Sequence, residues 1–218
     1  MPFRHVYGQI FPLELVIGLV VFGLVLTVMV AAAVLSRRKK RRGRPAARRE
    51  HWNALEAVFG LVLAGMVAFL VAESFSANAQ DFPAHRPKPA VRVEVTAFQW
   101  CWRFGYAGQP VTVIGSCQDG QYPVLVLPVG EPVQIDLTSA DVVHAFWVPD
   151  LDFKMDAFPG HVNSFTVTVD REGRWIGRCA QFCGLYHYIM DFWVQAVSPA
   201  QYGQWLHAHA GTTAGAGA

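Results

Sequence analysis

Within twelve residues the chain places two thiols, an imidazole and a thioether, in the run Cys179-Ala-Gln-Phe-Cys183-Gly-Leu-Tyr-His187-Tyr-Ile-Met190. A second imidazole set in strand-like sequence, His144, lies well upstream. Soft thiolate and thioether donors together with imidazole select copper, and a mononuclear blue-copper centre takes two His, one Cys and a weak axial Met. Here that set appears with one thiolate in excess. Two thiolates can bridge a pair of metal ions, each ion then taking one imidazole, with Met190 the weak ligand of one and a backbone carbonyl the ligand of the other. A tetrahedral Cys₂His₂ zinc site is satisfied by the same inventory. Zinc, however, has no use for Met190, and His144 does not keep the short spacing of paired zinc-finger ligands. The plainest alternative is a disulfide between Cys179 and Cys183 beside a core methionine.

These side chains need a rigid frame, and the sequence around them is strand-like. Val91-Arg92-Val93-Glu94-Val95-Thr96 and Phe165-Thr166-Val167-Thr168-Val169-Asp170 alternate apolar with polar, the signature of half-buried strands. Short β-rich runs follow near 111–114, 122–128, 132–137, 143–148, 174–178 and 189–197, punctuated by Gly, Pro and Asp. Residues 91–198 are therefore expected to form an all-β sandwich or barrel. Ser198 as a cap and Pro199 at the first position open a short helix to His209, and the tail Gly-Thr-Thr-Ala-Gly-Ala-Gly-Ala is expected to be flexible.

The first third of the chain has another character. Of 218 residues 53% are apolar and 16% charged, more apolar than an average soluble domain. Residues 11–35 carry one ionisable group, Glu14, and 53–72 carry one, Glu56. Each is long enough to cross a bilayer, which takes roughly 20 residues. Between them, at 37–50, lies a loop with nine bases from Arg37 to Arg49, and such an excess marks the cytoplasmic side. A membrane hairpin over 1–76 thus leaves the N-terminus and the β domain on the outer side, joined by a Pro-rich linker at 77–90. A secretory signal peptide would carry its positive charge before the apolar core, where Arg4 is the only strong base. From Ala77 onward eight bases face twelve acids, a net charge of about −4 that disfavours nucleic acid as a partner. Asp141, Asp150, Asp152 and Asp156 crowd the His144 segment, either as a docking face for a basic protein or as an ordinary solvated surface.

In order along the chain, the hairpin, the aromatic stretch Gln99-Trp100-Cys101-Trp102-Arg103-Phe104, the segment from Asp141-Val-Val-His144 to Lys154-Met155-Asp156-Ala157-Phe158-Pro159-Gly160, and the Cys179 to Met190 run resemble subunit II of the haem–copper cytochrome c oxidases. The resemblance implies a cupredoxin-like Greek-key barrel holding the binuclear copper centre CuA. By position, Cys179 and Cys183 would bridge the coppers, His144 and His187 would be the terminal imidazoles, Met190 the axial sulfur and Gln181 the carbonyl ligand. It further implies single-electron transfer from a cytochrome c, arriving at Trp100, to haem in subunit I, with subunit III as a further partner and oxygen reduction coupled to proton translocation. The expected location is the bacterial plasma membrane. Trp102 shares the parity of Trp100, so either ring could instead be core.

Departures from the family pattern matter. Many members have Glu where this chain has Gln181, and that carboxylate also reaches a magnesium ion shared with subunit I; the neutral amide puts magnesium in doubt. Near the second span the family often shows Glu-x-x-Trp-Thr-x-x-Pro, its Glu at the mouth of a proton path. This chain keeps Glu56 but has Phe59 and Leu63, so Glu56 is either that group or an interfacial carboxylate. A quinol oxidase subunit would lack the intact ligand set, and a membrane-tethered copper carrier would leave Trp100 idle. The chain has too few spans and membrane His ligands to hold the oxygen-reducing site itself.

Two cysteines remain. If Tyr106-Ala-Gly-Gln-Pro110 is a hairpin turn pairing Tyr106 with Val111, between strands at about 95–105 and 111–117, Cys101 falls opposite Ser116 and one residue from Cys117. A bulge or one-residue shift would join the sulfurs, whereas the plain register turns them to opposite faces.

Overall fold

The computed structural model describes residues 2–41, 53–81, 88–211 and 213–215, which fall into a helical unit and a β unit. In the helical unit α1 spans Pro2–Arg41 and α2 spans Asn53–Asp81. Both outrun the apolar segments that the sequence marks. Arg37 to Arg41 prolong α1 because Arg and Lys are good helix formers. Ala77, Ala79 and Gln80 carry α2 five residues into the segment read as linker, no proline intervening before Pro83. The rest of the basic loop and of the linker lies outside the described residues. Gly8–Arg38 and Glu56–Gln80 are long and apolar enough to cross a membrane. Within them the Thr27 and Ser74 hydroxyls donate to the carbonyls of Gly23 and Leu70, one turn back, which spares a polar group in an apolar surround.

The β unit contains β1 (Val91–Phe98), β2 (Cys101–Tyr106), β3 (Val111–Ile114), β4 (Val124–Pro128), β5 (Val133–Ser139), β6 (His144–Val148), β7 (Phe153–Ala157), β8 (Asn163–Val167), β9 (Gly173–Cys179), β10 (Asp191–Val197), the helix α3 (Pro199–His209) and β11 (Thr213–Gly215). Two sheets, ordered β11-β3-β2-β1-β5-β8 and β4-β10-β9-β6-β7, make the cupredoxin-like sandwich. Alternation does what the sequence promises: in β5, Val133, Ile135, Leu137 and Ser139 point inward while Gln134, Asp136 and Thr138 do not. The inward faces meet in a core of Val93, Val95, Phe104, Leu125, Leu127, Ile135, Leu137, Phe165 and Phe192. Ser198 and Gln201 form a reciprocal capping box at the start of α3, with Pro199 in its first turn. From α3, Trp205 packs edge-on against Tyr106 at 5.0 Å.

The β unit departs from the sequence reading in three places. The segment 95–105 is not one strand: Phe98 pairs with Cys101, so the chain reverses at Gln99-Trp100 and β1 and β2 form a hairpin. Phe153–Ala157 is a further strand, alternating apolar with polar but not among the runs expected, and it pairs with β6, His144 opposite Ala157. The tail is not wholly irregular, for Thr213–Gly215 add in parallel to the edge of β3, whose outer N–H and C=O groups offer a template.

Candidate metal centre

Three elements converge to build the site. Strand β6 opens with His144, strand β9 closes with Cys179, and the loop from Cys179 to β10 carries Gln181, Cys183, His187 and Met190. The pairing of β6 with β9, Phe146 opposite Cys179, sets the first imidazole beside the first thiol. Backbone bonds then close the loop on itself: Cys179 N–H donates to the Met190 carbonyl at 3.0 Å and Ala180 N–H to the Ala145 carbonyl at 3.1 Å. A 3₁₀ turn at His187–Ile189 brings His187 and Met190 to the same side.

The sulfurs of Cys179 and Cys183 lie 3.8 Å apart and form no disulfide. Each thiol has its own imidazole: Cys179 Sγ is 3.8 Å from His144 Nδ1, and Cys183 Sγ is 3.5 Å from His187 Nδ1. Met190 Sδ stands 3.8 Å from Cys183 Sγ, and the Cys179 thiol donates to the Gln181 carbonyl at 3.2 Å. His144, Cys179, Cys183 and Met190 are buried; Gln181 turns its side chain to solvent, leaving its carbonyl at the cluster. The cluster thus contains every candidate ligand the sequence offers, and the donor atoms of His144, Cys179 and Cys183 all lie within 4.8 Å of one another.

Electrostatics gives the pair of thiols a reason to want cations. Burial alone would raise the Cys179 thiol, but hydrogen bonding with His144 and with the backbone at Ala145 and Gln181 outweighs it and holds the group at about 6. Cys183 moves the other way, pushed up to about 12 by burial and by the charge of Cys179. One thiolate is accommodated, and the second needs positive charge at the site. His144 is prepared for ligation from behind. Its Nε2 meets Asp141 Oδ1 at 2.8 Å, which fixes the ring and leaves Nδ1 facing the sulfur. A carboxylate on the far nitrogen is how metal-binding histidines are commonly oriented. Burial would raise the Asp141 carboxyl, yet bonds from His144 and from the Gln99 and Val142 N–H groups lower it overall. In the sequence Asp141 shows as a surface charge; its place three residues before His144 is the signal for this second role.

Trp100 and Trp102 separate cleanly. Trp102 is fully buried, donates its indole N–H to the Met190 carbonyl at 3.3 Å and packs against Phe146 and Phe192. Trp100 sits at the partly exposed turn between β1 and β2, its indole N–H donating to the Cys183 carbonyl at 3.0 Å. Gln99 Nε2 donates to the same carbonyl at 2.8 Å. Gly184, at φ +112°, lets the turn approach, since a Cβ there would come within 3.3 Å of the Trp100 ring and 3.2 Å of Gln99 Nε2. Glu56 belongs to the helical unit, exposed on the first turn of α2.

A cupredoxin-like sandwich with a buried thiol, imidazole and thioether cluster that could hold a metal, following two helices apolar enough to cross a membrane, defines a class of membrane-anchored β-sandwich proteins. Comparison with known proteins narrows the class. Residues 119–197 match the family model for the periplasmic domain of cytochrome c oxidase subunit II. Cytochrome c oxidase subunit 2 of Corynebacterium diphtheriae is 30% identical over 247 residues, covering 88% of this chain and 68% of that one. The probable subunit 2 of Streptomyces avermitilis is 37% identical over 155 residues, 55% of this chain and 49% of that one. The chain therefore spans about two thirds of the length of the first relative and half of the second. The periplasmic domain of subunit II of cytochrome oxidase (CoxB) of Bradyrhizobium japonicum superimposes with a TM-score of 0.52 at 27% identity, covering 56% of this chain and 95% of that domain. The chain belongs to the cytochrome c oxidase subunit 2 family.

Proposed function

We propose that this chain is the electron-accepting subunit of a respiratory terminal oxidase, taking single electrons from a cytochrome c at a binuclear CuA centre and delivering them to haem in subunit I. The observation that carries the reading is the paired geometry: two thiols 3.8 Å apart, each facing its own imidazole Nδ1, with a thioether and a carbonyl at hand. The set fits two soft ions better than one zinc, since a tetrahedral zinc would leave Met190 without a role. Cys179 and Cys183 would bridge, His144 and His187 would terminate, and Met190 and the Gln181 carbonyl would be the weak ligands. When bound, the copper pair supplies a one-electron acceptor whose ligands need not rearrange.

The chain's own residues do the rest. Phe146, Trp102 and Phe192 wall the cluster from water beneath, and Asp141 holds His144 in one orientation. Trp100 offers a partly exposed aromatic ring one hydrogen bond from the backbone of a bridging residue, a short path for an arriving electron. That contact also speaks against a mere copper carrier, for which it would be idle. The acidic groups at Asp150, Asp152 and Asp156 suit a basic donor, Asp141 being held by His144 and Gln99. The bases at 37–49 orient the helices with the β unit on the outer face of a bacterial plasma membrane, against subunits I and III. Glu56 is a candidate for the mouth of a proton path or for an interfacial carboxylate, and the neutral amide of Gln181 puts a magnesium site in doubt.

The full chain, purified in detergent and loaded with copper, should bind two coppers that share one unpaired electron when oxidised, read by metal analysis, near-infrared absorption and electron paramagnetic resonance. One copper per chain, or a preference for zinc, refutes the binuclear reading.

A further inference from the structure

Cys101 and Cys117 form a disulfide with a Cα separation of 5.4 Å, inside the range such bridges span, and each cysteine is 2% exposed. The β2–β3 register is the one the hairpin turn implies, Tyr106 opposite Val111 and Phe104 opposite Val113, which by itself would set Cys101 against Ser116. The last pair is Arg103 with Ile114, and a final bond runs from Gly115 N–H to the Trp102 carbonyl at 3.3 Å. Beyond it the chain leaves the ladder for a 3₁₀ turn at Cys117–Asp119, and that turn supplies the one-residue displacement that brings the sulfurs together. Gly115 is pressed against the bridge: a Cβ there would meet the Cys101 sulfur at 2.8 Å and Pro123 at 2.4 Å. Cys117 Sγ also lies 3.4 Å from the Asp191 carbonyl, next in sequence to Met190.

The position of this bridge is informative. The Gln99–Trp100 turn stands where β2 has lost its β3 neighbour and keeps only β1, so hydrogen bonding alone would leave the turn prone to fray. At this point a covalent link takes over from the ladder, on the residue that directly follows Trp100. The turn needs fixing because three polar contacts depend on its placement: Gln99 N–H to Asp141 Oδ2 at 2.6 Å, and Gln99 Nε2 and Trp100 Nε1 to the Cys183 carbonyl. Two of these end on a thiol-bearing residue, and the third on the carboxylate that orients His144.

We propose that the Cys101–Cys117 disulfide is a positioning device for the metal centre, anchoring the Gln99–Trp100 turn so that Trp100 and Gln99 both donate to the Cys183 carbonyl. Its effect on the metal rests on the copper reading above; its effect on the turn does not. Removing the bridge releases the turn while the strands, held by the common core, remain.

The test compares the full chain in detergent with the double variant Cys101→Ser/Cys117→Ser, and with Cys101→Ala/Cys117→Ala should the polar pair fail to fold. Amide hydrogen exchange in the metal-free chain should accelerate about tenfold or more at residues 99–101 while β5 keeps its protection. After copper loading, the variant should retain two coppers but show shifted thiolate-to-copper absorption bands, a signature that a purely stabilising crosslink would not move. Unchanged exchange at 99–101, or equal acceleration throughout β5, overturns the proposal, as do unshifted bands at full copper content. Because exchange is read without metal, a wild-type chain that binds no copper pair defeats the functional reading and leaves the turn result standing.

Discussion

Replacing Asp141 with Asn tests how much of the site is built from behind its ligands. The carboxylate serves both sides at once: Oδ1 takes His144 Nε2 at 2.8 Å and Val142 N–H at 2.7 Å, and Oδ2 takes Gln99 N–H at 2.6 Å. An amide has one acceptor oxygen and a donating NH₂, so either His144 or Gln99 would face a donor instead of an acceptor. A hydrogen bond to a charged group contributes about 1.5–3 kcal/mol, and a buried donor left unmet costs about 1–3 kcal/mol. The side chain is 30% exposed, so water relieves part of this and the lower end applies, about 2 kcal/mol. For a β unit of this size that is a melting temperature lower by roughly 8 °C. The sign with pH follows from the lowered Asp141 carboxyl: its contribution is complete above the unfolded value of 3.8 and is lost as pH falls through the folded one. The gap between wild type and Asp141→Asn should therefore hold from neutrality to about pH 4 and narrow below it. In the copper-loaded chain the imidazole, deprived of its carboxylate, becomes a poorer donor and the potential should rise. Near-ultraviolet circular dichroism of the metal-free full chain, with Asp150→Asn as the exposed control of equal charge, reads the first effect. Equal melting of Asp141→Asn and Asp150→Asn at pH 7, or a gap that persists undiminished at pH 3, would refute the reasoning.

Met190 is fully buried and offers only a weak thioether ligand, so Met190→Leu, which nearly conserves volume, should cost less than about 1.5 kcal/mol, keep both coppers and shift their potential; loss of a copper would make the sulfur a strong ligand instead. In the metal-free chain the thiol pair should titrate in two widely separated steps, one at about 6 and the other pushed up to about 12, followed by ultraviolet thiolate absorbance; two steps together near 9 would show that the charges of Cys179 and Cys183 do not interact. Electron transfer from a basic cytochrome c should slow steeply with salt, given a Debye length of roughly 10 Å at 0.1 M, and a salt-independent rate would assign docking to apolar contacts.

Much of this molecule was legible in its sequence, because the signals involved are local. Alternation in Val91 to Thr96 and in Phe165 to Val169 reports a pleated chain with one face in a core, and two long apolar runs, each with a single carboxylate, report helices long enough to cross a membrane. The cluster of soft donors was legible because such side chains are scarce and lie close together in the sequence. Even the register of β2 on β3 followed from one turn. Tertiary structure decided what depended on distant partners. Phe153 to Ala157 alternates as a strand does, but only the fold shows that its partner is β6. The reversal at Gln99–Trp100, which sends Trp102 into the core and leaves Trp100 at the surface, is set by the pairing of Phe98 with Cys101. Cys101 and Cys117 stood one residue out of register, and a 3₁₀ turn beyond the end of the ladder joined them. Asp141 passed for a surface charge until the fold laid Gln99 and His144 on its two oxygens. Spacing along the chain determines which chemistry is possible, and only the packing of strands far apart in sequence determines which atoms meet.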